Sequence, residues 1–510
     1  MTNLIWTLVF LQVAMGGFDT LYHHELTERL AWRPSQAGEL RLHGVRNLAY
    51  AVMFAALGWS RPQGWAAGAL MALMISELII TLWDFVEEDR TRKLPASERV
   101  THTLLTLNYG VVLAMLIPML GHWAEQPSAV APAYYGVWSW LCAIASVGVI
   151  ASGLRDLAAA GRTARIGLSD PAPLAAALKA RQSVLVTGGT GLIGARLVAA
   201  LVAGGHEVTV LTRDRAHAAG LPAPLRIVTS LDQIDPATRI DAIVNLAGEP
   251  ISDGLWTRAK RARILRSRLR ATREVVRLIA RLRTRPAVLI QGSAIGWYGL
   301  RGDDLLDEAA GGADCFSRRL CVRWEKVALP AEAMGVRLVW LRTGLVLAAE
   351  GGMLSRMLTP FEFGLGGPFG AGRHWMSWIH RDDLVRLIVH AIATPGLSGP
   401  VNGTAPNPAT NKAFAESFGR ALGRPAILPA PAAPLRLALG DFAEELLLSG
   451  QKVVPAAALN SGFRFVYPEL EDALGAIVGR RRVAPALPNP AARTVATPRF
   501  AQHRTAPAPR

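Results

Sequence analysis

Cysteine is scarce in this chain of 510 residues, which contains only Cys142, Cys315 and Cys321. None of them belongs to a Cys-x-x-Cys pair, so the sequence supports neither a disulfide framework nor a cysteine-rich zinc site. Charged residues are also few, at 18%, whereas hydrophobic residues reach 51%. This balance excludes a wholly disordered chain and disfavours a wholly soluble one.

Acidic residues are nearly absent from two basic stretches. Residues 258–285 contain 12 Lys and Arg but only one acid, Glu274, and residues 480–510 contain seven Arg and no acid. The first 180 residues hold 13 bases and 13 acids, so the formal net charge of +16 comes from the rest of the chain. A protein that coats nucleic acid would be basic throughout. This distribution instead predicts one basic helix and a basic, disordered tail over residues 479–510.

The basic helix, predicted over residues 256–283, has two interpretations. Its arginines either form a solvated face, or they dock residues 256–285 on an anionic membrane surface, where each cation contributes about 1 kcal/mol. Aromatic residues do not alternate with these arginines as base-stacking platforms would require. We therefore expect a lipid partner in preference to nucleic acid.

Long apolar runs occupy most of the first 155 residues. Five are present, at about 4–18, 45–60, 65–83, 104–121 and 136–154. Each is near the lower end of the ~17–25 residues that cross the ~30 Å hydrocarbon core of a bilayer. We predict an α-helical membrane bundle of about five spans over residues 1–155, with a soluble apolar bundle as the alternative.

Positive charge follows every second run. Arginine and lysine follow runs 1, 3 and 5, whereas the other two connections together hold only Arg61. The residues concerned are Arg29, Arg33, Arg41, Arg46, Arg90, Arg92, Lys93, Arg99, Arg155, Arg162, Arg165, Lys179 and Arg181. Because positive loops stay on the cytoplasmic side, the pattern predicts a multi-pass inner-membrane protein. Its N-terminus lies outside and residues from 155 onward lie in the cytoplasm.

Histidines and carboxylates collect at the predicted cytoplasmic ends of these spans. They recur at spacings of four and seven residues, which places them on common helix faces. The candidate metal ligands are Asp19, His23, Glu39, His43, Asp84 and His102. Three interpretations stay open: interfacial residues paired with arginine, a di-iron or similar hard metal pair, or haem held by histidines of two helices.

The pattern changes at Ser183, where short apolar strands begin to alternate with helices. Strands are predicted at 183–187, 207–212, 225–229, 240–246, 287–293 and 337–346, and helices at 192–204, 256–283 and 314–334. This alternation is typical of an α/β Rossmann-like fold, a doubly wound parallel sheet. We expect a linker over residues 156–181, the sheet domain over 182–423 and a small C-terminal appendage over 424–478.

A glycine-rich turn follows the first strand. Residues 183–194 read Ser-Val-Leu-Val-Thr-Gly-Gly-Thr-Gly-Leu-Ile-Gly. Gly188 permits a tight turn, Gly191 lets the backbone approach a pyrophosphate, and Gly194 lets the following helix pack on the strand. With a second strand at 207–212, the motif predicts a dinucleotide site. Its candidate binding residues are Gly188, Thr190, Gly191, Leu192, Ile193 and Gly194.

The end of the second strand indicates which dinucleotide binds. Proteins that bind NAD usually place an acid there for the ribose hydroxyls. This chain has Arg213, whose planar guanidinium suits a 2′-phosphate. We therefore predict NADP(H) in preference to NAD. Asp214 follows directly, which keeps NAD as the second choice.

Six motifs, in order, resemble those of the epimerase-like, atypical short-chain dehydrogenase/reductases. They are Thr187–Gly194, Asn245–Pro250, Gly292–Gly299, Gly364–Pro368, Trp375–Asp383 and Asn402–Asn407. A later segment, Leu446–Pro455 followed by Gly462–Phe465, resembles the C-terminal domain of unknown function that members carry. The resemblance covers about residues 181–478. It implies an NADP-binding Rossmann core, with Ala247 and Gly248 at the cofactor and a small-molecule substrate over the carboxyl ends of the strands.

The resemblance also implies that the standard catalytic pair is missing. Ordinary extended members use a Ser or Thr, a Tyr that passes the proton, and a Lys four residues later. Ser293 matches the Ser, but the helix that should carry Tyr-x-x-x-Lys reads Ser317-Arg-Arg-Leu-Cys321.

Two functions follow. The chain is either a membrane-anchored NADP(H)-dependent oxidoreductase, similar to nucleoside-sugar epimerases and of unknown substrate, or a non-catalytic NADP(H) sensor or electron-supply module for its membrane bundle. For the enzyme, the catalytic candidates are Ser293 and Tyr298. The sequence gives no oligomeric state.

Overall fold

The computed structural model describes residues 2–92, 94–166 and 170–480, as a helical bundle followed by a parallel sheet domain. Lys93 and residues 481–510, nearly all of the predicted basic tail, lie outside the described residues. The bundle consists of α1 (Asn3–Phe18), α2 (Ala37–Trp59), β1 (Ser60–Gln63), α3 (Trp65–Thr91), α4 (Ala96–Ala124), β2 (Ala129–Pro132) and α5 (Val137–Ile166).

Successive helices of the bundle run in opposite directions. At one end β1 pairs with β2 antiparallel, and Trp6 of α1 stacks on Trp138 of α5. At the other end the connections after α1 and α3 meet, where the Thr91 hydroxyl donates to Gln36. This arrangement agrees with the alternating loop charges from which the topology was predicted.

The spans were predicted as five, and four segments are long and apolar enough to cross a membrane. They are Asn3–Glu28, Trp65–Thr91, Ala96–Ala124 and Val137–Ala164. The remaining helix, α2, has 23 residues, but its first half carries charged side chains that lower its hydropathy. Large apolar side chains such as Ile79, Leu107 and Val147 point outward from the bundle. An apolar exterior of this kind suits contact with lipid.

Helices of the bundle continue beyond the predicted apolar runs at the end that carries the polar residues. The third run was predicted to end at residue 83, yet α3 continues to Thr91 with Asp84 and Glu88 buried. Likewise, the linker predicted over 156–181 begins inside α5, which continues to Ile166. Hydropathy marks the lipid-facing span, whereas buried polar contacts carry each helix further.

Parallel strands with helices on both faces make up the second half. The strands are β3 (Ser183–Thr187), β4 (Glu207–Leu211), β5 (Arg226–Val228), β6 (Ala242–Asn245), β7 (Val288–Ala294), β8 (Leu305–Leu306), β9 (Arg337–Thr343), β10 (Leu345–Leu347), β11 (Trp375–Met376), β12 (Trp378–His380), β13 (Gly399–Gly403), β14 (Ala409–Thr410) and β15 (Lys452–Val453). The helices are α6 (Leu192–Ala203), α7 (Arg258–Arg281), α8 (Phe316–Ala328), α9 (Pro330–Ala333), α10 (Gly352–Glu362), α11 (Arg381–Ala393), α12 (Asn411–Leu422), α13 (Ala432–Leu439), α14 (Asp441–Leu446), α15 (Ala456–Asn460) and α16 (Leu470–Ile477).

Seven strands form one sheet in the order β13-β9-β7-β6-β3-β4-β5. The chain runs outward from β3 through β4 and β5, then crosses back to β6 on the other side. This reversal makes the crevice beyond the carboxyl ends of β3 and β6 the expected ligand site. Leu197 and Ile388 cover one face of the sheet, and Ile279 and Ala328 cover the other. The predicted doubly wound fold is confirmed.

One predicted strand is divided. The stretch 337–346 was predicted as a single strand, but β9 ends at Thr343 and β10 pairs with β12 in a separate small sheet. Gly344 lies at the break, where a Cβ would collide with the backbone of Ser377. The close approach of a second chain segment therefore turns the strand aside, and this approach is not visible in a local pattern.

The small C-terminal domain shares its core with the sheet domain. β15 pairs in parallel with β8, and Phe463 is buried in the same cluster as the sheet residues Val339 and Val401. Leu474 of α16 packs in a second cluster with Phe414 of α12. The C-terminal domain is therefore packed onto the sheet domain and is not a separate unit.

Helix α10 joins the bundle to the sheet domain. Its last residue, Glu362, accepts hydrogen bonds from Arg155 at 2.9 Å and Arg162 at 3.1 Å, both on α5. The Trp32 indole also donates to Glu362, at 3.2 Å, and the Arg162 guanidinium lies 3.6 Å from the Trp32 ring centroid. At its other end, Gly351 and α10 lie against Leu192 of the glycine-rich turn.

Candidate functional site

The glycine-rich turn between β3 and α6 forms a tight backbone cradle. Gly188 has φ +70°, and a Cβ there would lie 2.8 Å from the carbonyl carbon of Leu246. A Cβ at Gly194 would collide with the carbonyl oxygen of Gly188. Gly191 precedes the first turn of α6, so the N–H groups of that turn face outward, toward the place of a pyrophosphate. The structure therefore brings the predicted residues 188–194 together at the expected crevice.

Behind the cradle, a buried polar network fixes the ends of the central strands. The Thr187 hydroxyl donates to Asn245 at 2.5 Å and accepts from the backbone N–H of Ala247 at 3.2 Å. The Asn245 amide donates to Thr272 and Gln291. Because these groups are all satisfied, they fix the backbone of Ala247 beside the cradle.

The second predicted cofactor segment packs against the basic helix. The Arg268 side chain crosses Gly248, where a Cβ would lie 3.0 Å from the guanidinium carbon. That guanidinium donates to the carbonyl of Glu249 at 2.8 Å and lies 5.0 Å from the Trp324 ring centroid. One residue of the predicted basic face therefore supports the cofactor loop.

Arg213 and Asp214 at the end of β4 differ in their contacts. Arg213 is exposed, and within the described residues no hydrogen bond or ion pair engages its guanidinium. The Asp214 carboxylate accepts from the N–H of Ala216 at 2.9 Å, as the cap of a short 3-10 turn. Asp214, the residue that kept NAD as the second choice, is thus engaged in capping a local turn. The Arg213 side chain is available to a ligand.

The catalytic candidate Ser293 lies in a closed, buried network. Its hydroxyl donates to the Glu325 carboxylate at 2.7 Å. The Arg342 guanidinium donates to the same carboxylate, at 3.0 and 3.2 Å. Glu325 follows Cys321, which stands at the position of the missing lysine, by one helical turn. Here it forms a buried ion pair with Arg342, a residue of β9 that the sequence did not single out.

Tyr298, the second catalytic candidate, continues this network. Its hydroxyl donates to Asn402 at 2.8 Å and accepts from Arg342 at 3.2 Å, and its side chain is fully buried. Burial raises the pKa of Tyr298, partly offset by the Arg342 contact. These contacts do not favour a proton-donating role, so the catalytic assignment of Tyr298 stays a prediction.

Ser317 and Cys321 stand at the positions of the missing Tyr and Lys. Cys321 is buried, and burial raises the pKa of its thiol to about 12. The Ser317 hydroxyl donates to Glu445 at 2.6 Å. The same carboxylate accepts from the N–H groups of Phe316 and Ser317, at 3.1 and 3.0 Å. Glu445 reaches the site from α14 of the C-terminal domain, a long-range contact that sequence reasoning missed.

Aromatic side chains close this edge of the crevice. Trp256 packs edge-on against Phe316 and against Phe442 of the C-terminal domain. Arg261 pairs with Asp441 across the same boundary. The C-terminal domain therefore packs against the start of α8, beside Ser317.

The polar residues predicted in the bundle do meet, with changes in membership. Asp19, Glu39, His43 and His102 each place a potential ligand atom in one of two buried sets. His23 instead hydrogen-bonds Asp19 at 2.8 Å, and Asp84 pairs with His43 at 2.8 Å and Arg46 at 2.9 Å. The sets also include three residues that were not predicted: His24, Glu88 and Glu98. Glu98-x-x-x-His102 repeats the spacing of Asp19-x-x-x-His23, which is a signal that could have found Glu98.

Two family models match the second half of the chain. One, the NAD dependent epimerase/dehydratase family, matches residues 184–402, and the other, a domain of unknown function (DUF1731), matches residues 430–477. The parallel sheet and the glycine cradle define a dinucleotide-binding protein of the short-chain dehydrogenase/reductase class. The chain belongs to the NAD dependent epimerase/dehydratase family.

Its relatives align over nearly their whole length. The chain is 41% identical to the epimerase family protein Mb2239 of Mycobacterium bovis over 294 residues, 57% of this chain and 96% of that protein. It is 38% identical to the epimerase family protein YfhF of Bacillus subtilis over 308 residues, 59% of this chain and 99% of that protein. These matches confirm the predicted family.

A solved relative shares the fold. The crystal structure of human epimerase family protein SDR39U1 (isoform 2) with NADPH has a TM-score of 0.53 and 37% identity, over 58% of this chain and 99% of that one. It confirms the Rossmann-like architecture. The predicted preference for NADP(H) agrees with the cofactor bound to this relative.

Proposed function

We propose that this protein is an NADP(H)-dependent oxidoreductase of the epimerase-like type, anchored in the cytoplasmic membrane by its N-terminal bundle. The observation that carries the proposal is the cradle at β3–α6 together with the exposed Arg213 at the end of β4. The relative crystallised with NADPH supports the same cofactor here. The substrate is a small molecule that enters the crevice between residues 249–256 and the C-terminal domain.

Different residues of the chain bind different parts of the cofactor and the substrate. The N–H groups at the start of α6 bind the pyrophosphate, and Arg213 binds the 2′-phosphate through charge-assisted hydrogen bonds. The nicotinamide exchanges a hydride with the substrate when the cofactor is bound. Ser293, at the end of β7, lies where related enzymes polarise a carbonyl, and it would exchange its bond to Glu325 for one to the substrate.

For the proton, we assign Glu445 acting through Ser317. Ser317 occupies the position of the missing Tyr, and its 2.6 Å bond to Glu445 links it to an ionisable group. A carboxyl group can deliver or remove a proton in a site of this kind. A Glu445→Gln variant keeps an acceptor for the helix N–H groups but loses the acid. We expect it to retain NADPH affinity, to lower kcat by ~100-fold and to flatten the acid limb of the pH–rate profile.

Membrane anchoring rests on the bundle. Four segments are long and apolar enough to cross, and we take α2, with its 23 residues, as the fifth pass. The positive loops lie at the end that meets the sheet domain. We place that end, with the dinucleotide site, in the cytoplasm. A reporter fused after residue 155 and another fused before residue 3 should report opposite sides of the membrane.

Titration of the detergent-purified full chain with NADPH and NADH tests the cofactor assignment. We expect NADPH to bind at least ~10-fold more tightly, and Arg213→Ala to remove that preference while NADH affinity stays the same. Arg215→Ala, which removes an exposed arginine two residues further on, is the matched control. Equal affinities in the unmodified chain, or a preference that survives Arg213→Ala, would contradict the assignment.

A specific observation favours the second candidate, a non-catalytic NADP(H)-binding module. The network of Ser293, Glu325 and Arg342 is closed, and α10 connects the cofactor turn to the bundle through Glu362. Stopped-flow absorbance at the NADPH band with candidate carbonyl substrates separates the two. An enzyme oxidises one bound NADPH per site in a single turnover, whereas a sensor holds NADPH unchanged with every substrate.

A further inference from the structure

Two overlapping groups of ligand atoms lie at the end of the bundle that faces the sheet domain. In the first, one atom each from Asp19, His24, Glu98 and His102 lies within 4.8 Å of the others. In the second, the same holds for His24, Glu39, His43 and Glu88. The residues come from α2, α3, α4 and the π-helical stretch Asp19–Glu28 that continues α1. Convergence of imidazole and carboxylate from several helices is how bundle metal sites are built.

Several polar atoms of this cluster are buried without a hydrogen-bond partner. Within the described residues, both carboxylate oxygens of Glu88 and the Nε2 atom of His24 lack one. Their nearest charged neighbours form looser ion pairs, at 3.4 Å from Glu88 to His102, 3.6 Å from Glu88 to Arg92 and 3.4 Å from His24 to Asp19. Glu88 is only 1% exposed and His24 only 6%. Leaving such groups unpaired costs free energy, and a shared ligand would remove that cost.

The fixed charges of the cluster do not balance. Five carboxylates are nearly inaccessible to solvent: Asp19, Glu39, Asp84, Glu88 and Glu98. Arg46 pairs with Asp84, and Arg92 pairs with Glu39 at 2.9 Å and Glu98 at 2.6 Å. Two guanidiniums leave an excess of three negative charges. The missing positive charge comes either from protonated histidines or from bound cations.

The ring geometry bears on the choice of ligand. The imidazoles of His24 and His43 stack face to face, with centroids 4.5 Å apart and planes 10° apart. This stack leaves no room for a planar macrocycle between the two rings, so axial haem ligation by this pair does not fit. Mixed nitrogen and carboxylate donors suit a divalent ion of the manganese and iron class.

We propose that this cluster binds at least one divalent transition-metal ion, Mn²⁺ or Fe²⁺, with ligands from Asp19, His24, Glu39, His43, Glu88, Glu98 and His102. His23 and Asp84 are positioning residues, since His23 holds Asp19 and Asp84 holds His43. The site is separate from the dinucleotide cradle. It is therefore independent of the function proposed above.

Metal content of the full chain in detergent tests the proposal. The protein is stripped with chelator, desalted, incubated with Mn²⁺ alone or anaerobically with Fe²⁺ alone, desalted again and analysed by mass spectrometry. We expect about one or two equivalents per chain, one for each ligand set that is occupied. Binding should also remove the six-line electron paramagnetic resonance signal of aqueous Mn²⁺. Bound metal should raise the unfolding temperature of the protein.

Variants locate the metal. His24→Ala removes the residue that both sets share, and Glu88→Ala removes the carboxylate that has no hydrogen bond in the described part of the chain. We expect each to weaken metal binding by at least ~10-fold. His122→Ala, an exposed histidine of α4 outside both sets, is the matched control. Helical circular dichroism and elution as a single species report whether each variant is folded, and NADPH titration of the same samples tests the dinucleotide site separately.

Two results would overturn the proposal. One is less than about a tenth of an equivalent of metal on the unmodified chain with no change in unfolding temperature, which would assign the charge balance to protonated histidines. The other is the same metal content in the unmodified chain and in folded His24→Ala and Glu88→Ala variants.

Discussion

The two halves of this chain bury polar side chains in opposite ways. In the sheet domain, the network of Ser293, Glu325, Arg342, Tyr298 and Asn402 is closed, and each carboxylate or hydroxyl has a donor or acceptor opposite it. In the bundle, buried carboxylates outnumber the guanidiniums beside them. Among the residues that the structure describes, the Glu88 oxygens have no hydrogen-bond partner and form only ion pairs, at 3.4 Å to His102 and 3.6 Å to Arg92. The first network is complete within the protein, whereas the second supports the metal site proposed above.

The two sites also differ in whether backbone atoms or side chains form them. The dinucleotide cradle consists mainly of backbone N–H groups, and its glycines leave the room that a Cβ would fill. The spacing of glycines in the sequence therefore predicts it. The bundle cluster consists of side chains from four separate helical segments. Its members become neighbours only through helix packing.

The largest effect is expected from a substitution in the dinucleotide cradle of the sheet domain. A Cβ at Gly194 would collide with the carbonyl oxygen of Gly188, which is backbone and cannot move aside. We expect Gly194→Ala to lower NADPH affinity by more than ~100-fold and the free energy of unfolding by about 3 kcal/mol. Isothermal titration and chemical denaturation measure the two effects. Gly220→Ala, where a Cβ meets nothing within 4 Å, should leave both unchanged.

A pair of charge-removing variants sharpens the contrast between closed and open networks. Glu325→Gln leaves the buried Arg342 guanidinium without its carboxylate, and we expect a loss of about 3 kcal/mol. Glu88→Gln in the chelator-treated chain removes one of the excess negative charges, so we expect an unfolding temperature equal to or above that of the unmodified chain. Thermal unfolding in one detergent measures both. Equal destabilisation by the two variants would show that the bundle cluster is as closed as the sheet network.

Local sequence signals predicted most of the fold. Strands at 183–187 and 207–212 lie within one residue of β3 and β4, because a buried parallel strand is a short apolar run with glycine or charge at its ends. Arg213 was predicted from its place at a strand end. In each case the informative residues lie within a few positions of one another along the chain.

Contacts between distant segments could not be predicted in this way. Arg342 meets Glu325 only because β9 and α8 pack together, and Glu445 reaches Ser317 across 128 residues of sequence. The division of β9 from β10 depends on the neighbouring backbone of Ser377. These features follow from tertiary packing, and no local periodicity records them.

The junction between the halves should respond to acid. Burial alone would raise the pKa of Glu362, but Arg155 and Arg162 outweigh it and hold the pKa below the usual 4.5. The unfolded state therefore takes up the proton first. The stabilisation is fully present above about pH 4.5 and is lost as the pH falls through the lowered pKa.

Glu362→Gln tests this junction. At neutral pH we expect the variant to be about 2 kcal/mol less stable, because two charge-assisted hydrogen bonds weaken. The difference from the unmodified chain should shrink as the pH falls below about 4.5 and through the lowered pKa of Glu362. Unfolding curves across this range measure it, with the exposed Glu471→Gln as control. A difference that stays constant with pH would mean that the carboxylate charge contributes nothing to the junction.

The smallest expected effect concerns the basic helix α7. Its excess positive charge lies on the surface of the sheet domain, whereas the excess negative charge of the bundle cluster is buried. Several of its bases already have protein partners: Lys260 pairs with Glu249, Arg261 with Asp441, and Arg270 with Glu274. The exposed arginines Arg258, Arg263, Arg266, Arg273 and Arg277 remain for a lipid surface. Changing Arg263, Arg266, Arg273 and Arg277 to Gln should weaken binding of nanodisc-embedded protein to anionic vesicles by about 1 kcal/mol per charge, while binding to neutral vesicles stays the same. Equal loss on neutral vesicles, or no binding by the unmodified chain, would leave the arginines as a solvated face that keeps the domain soluble.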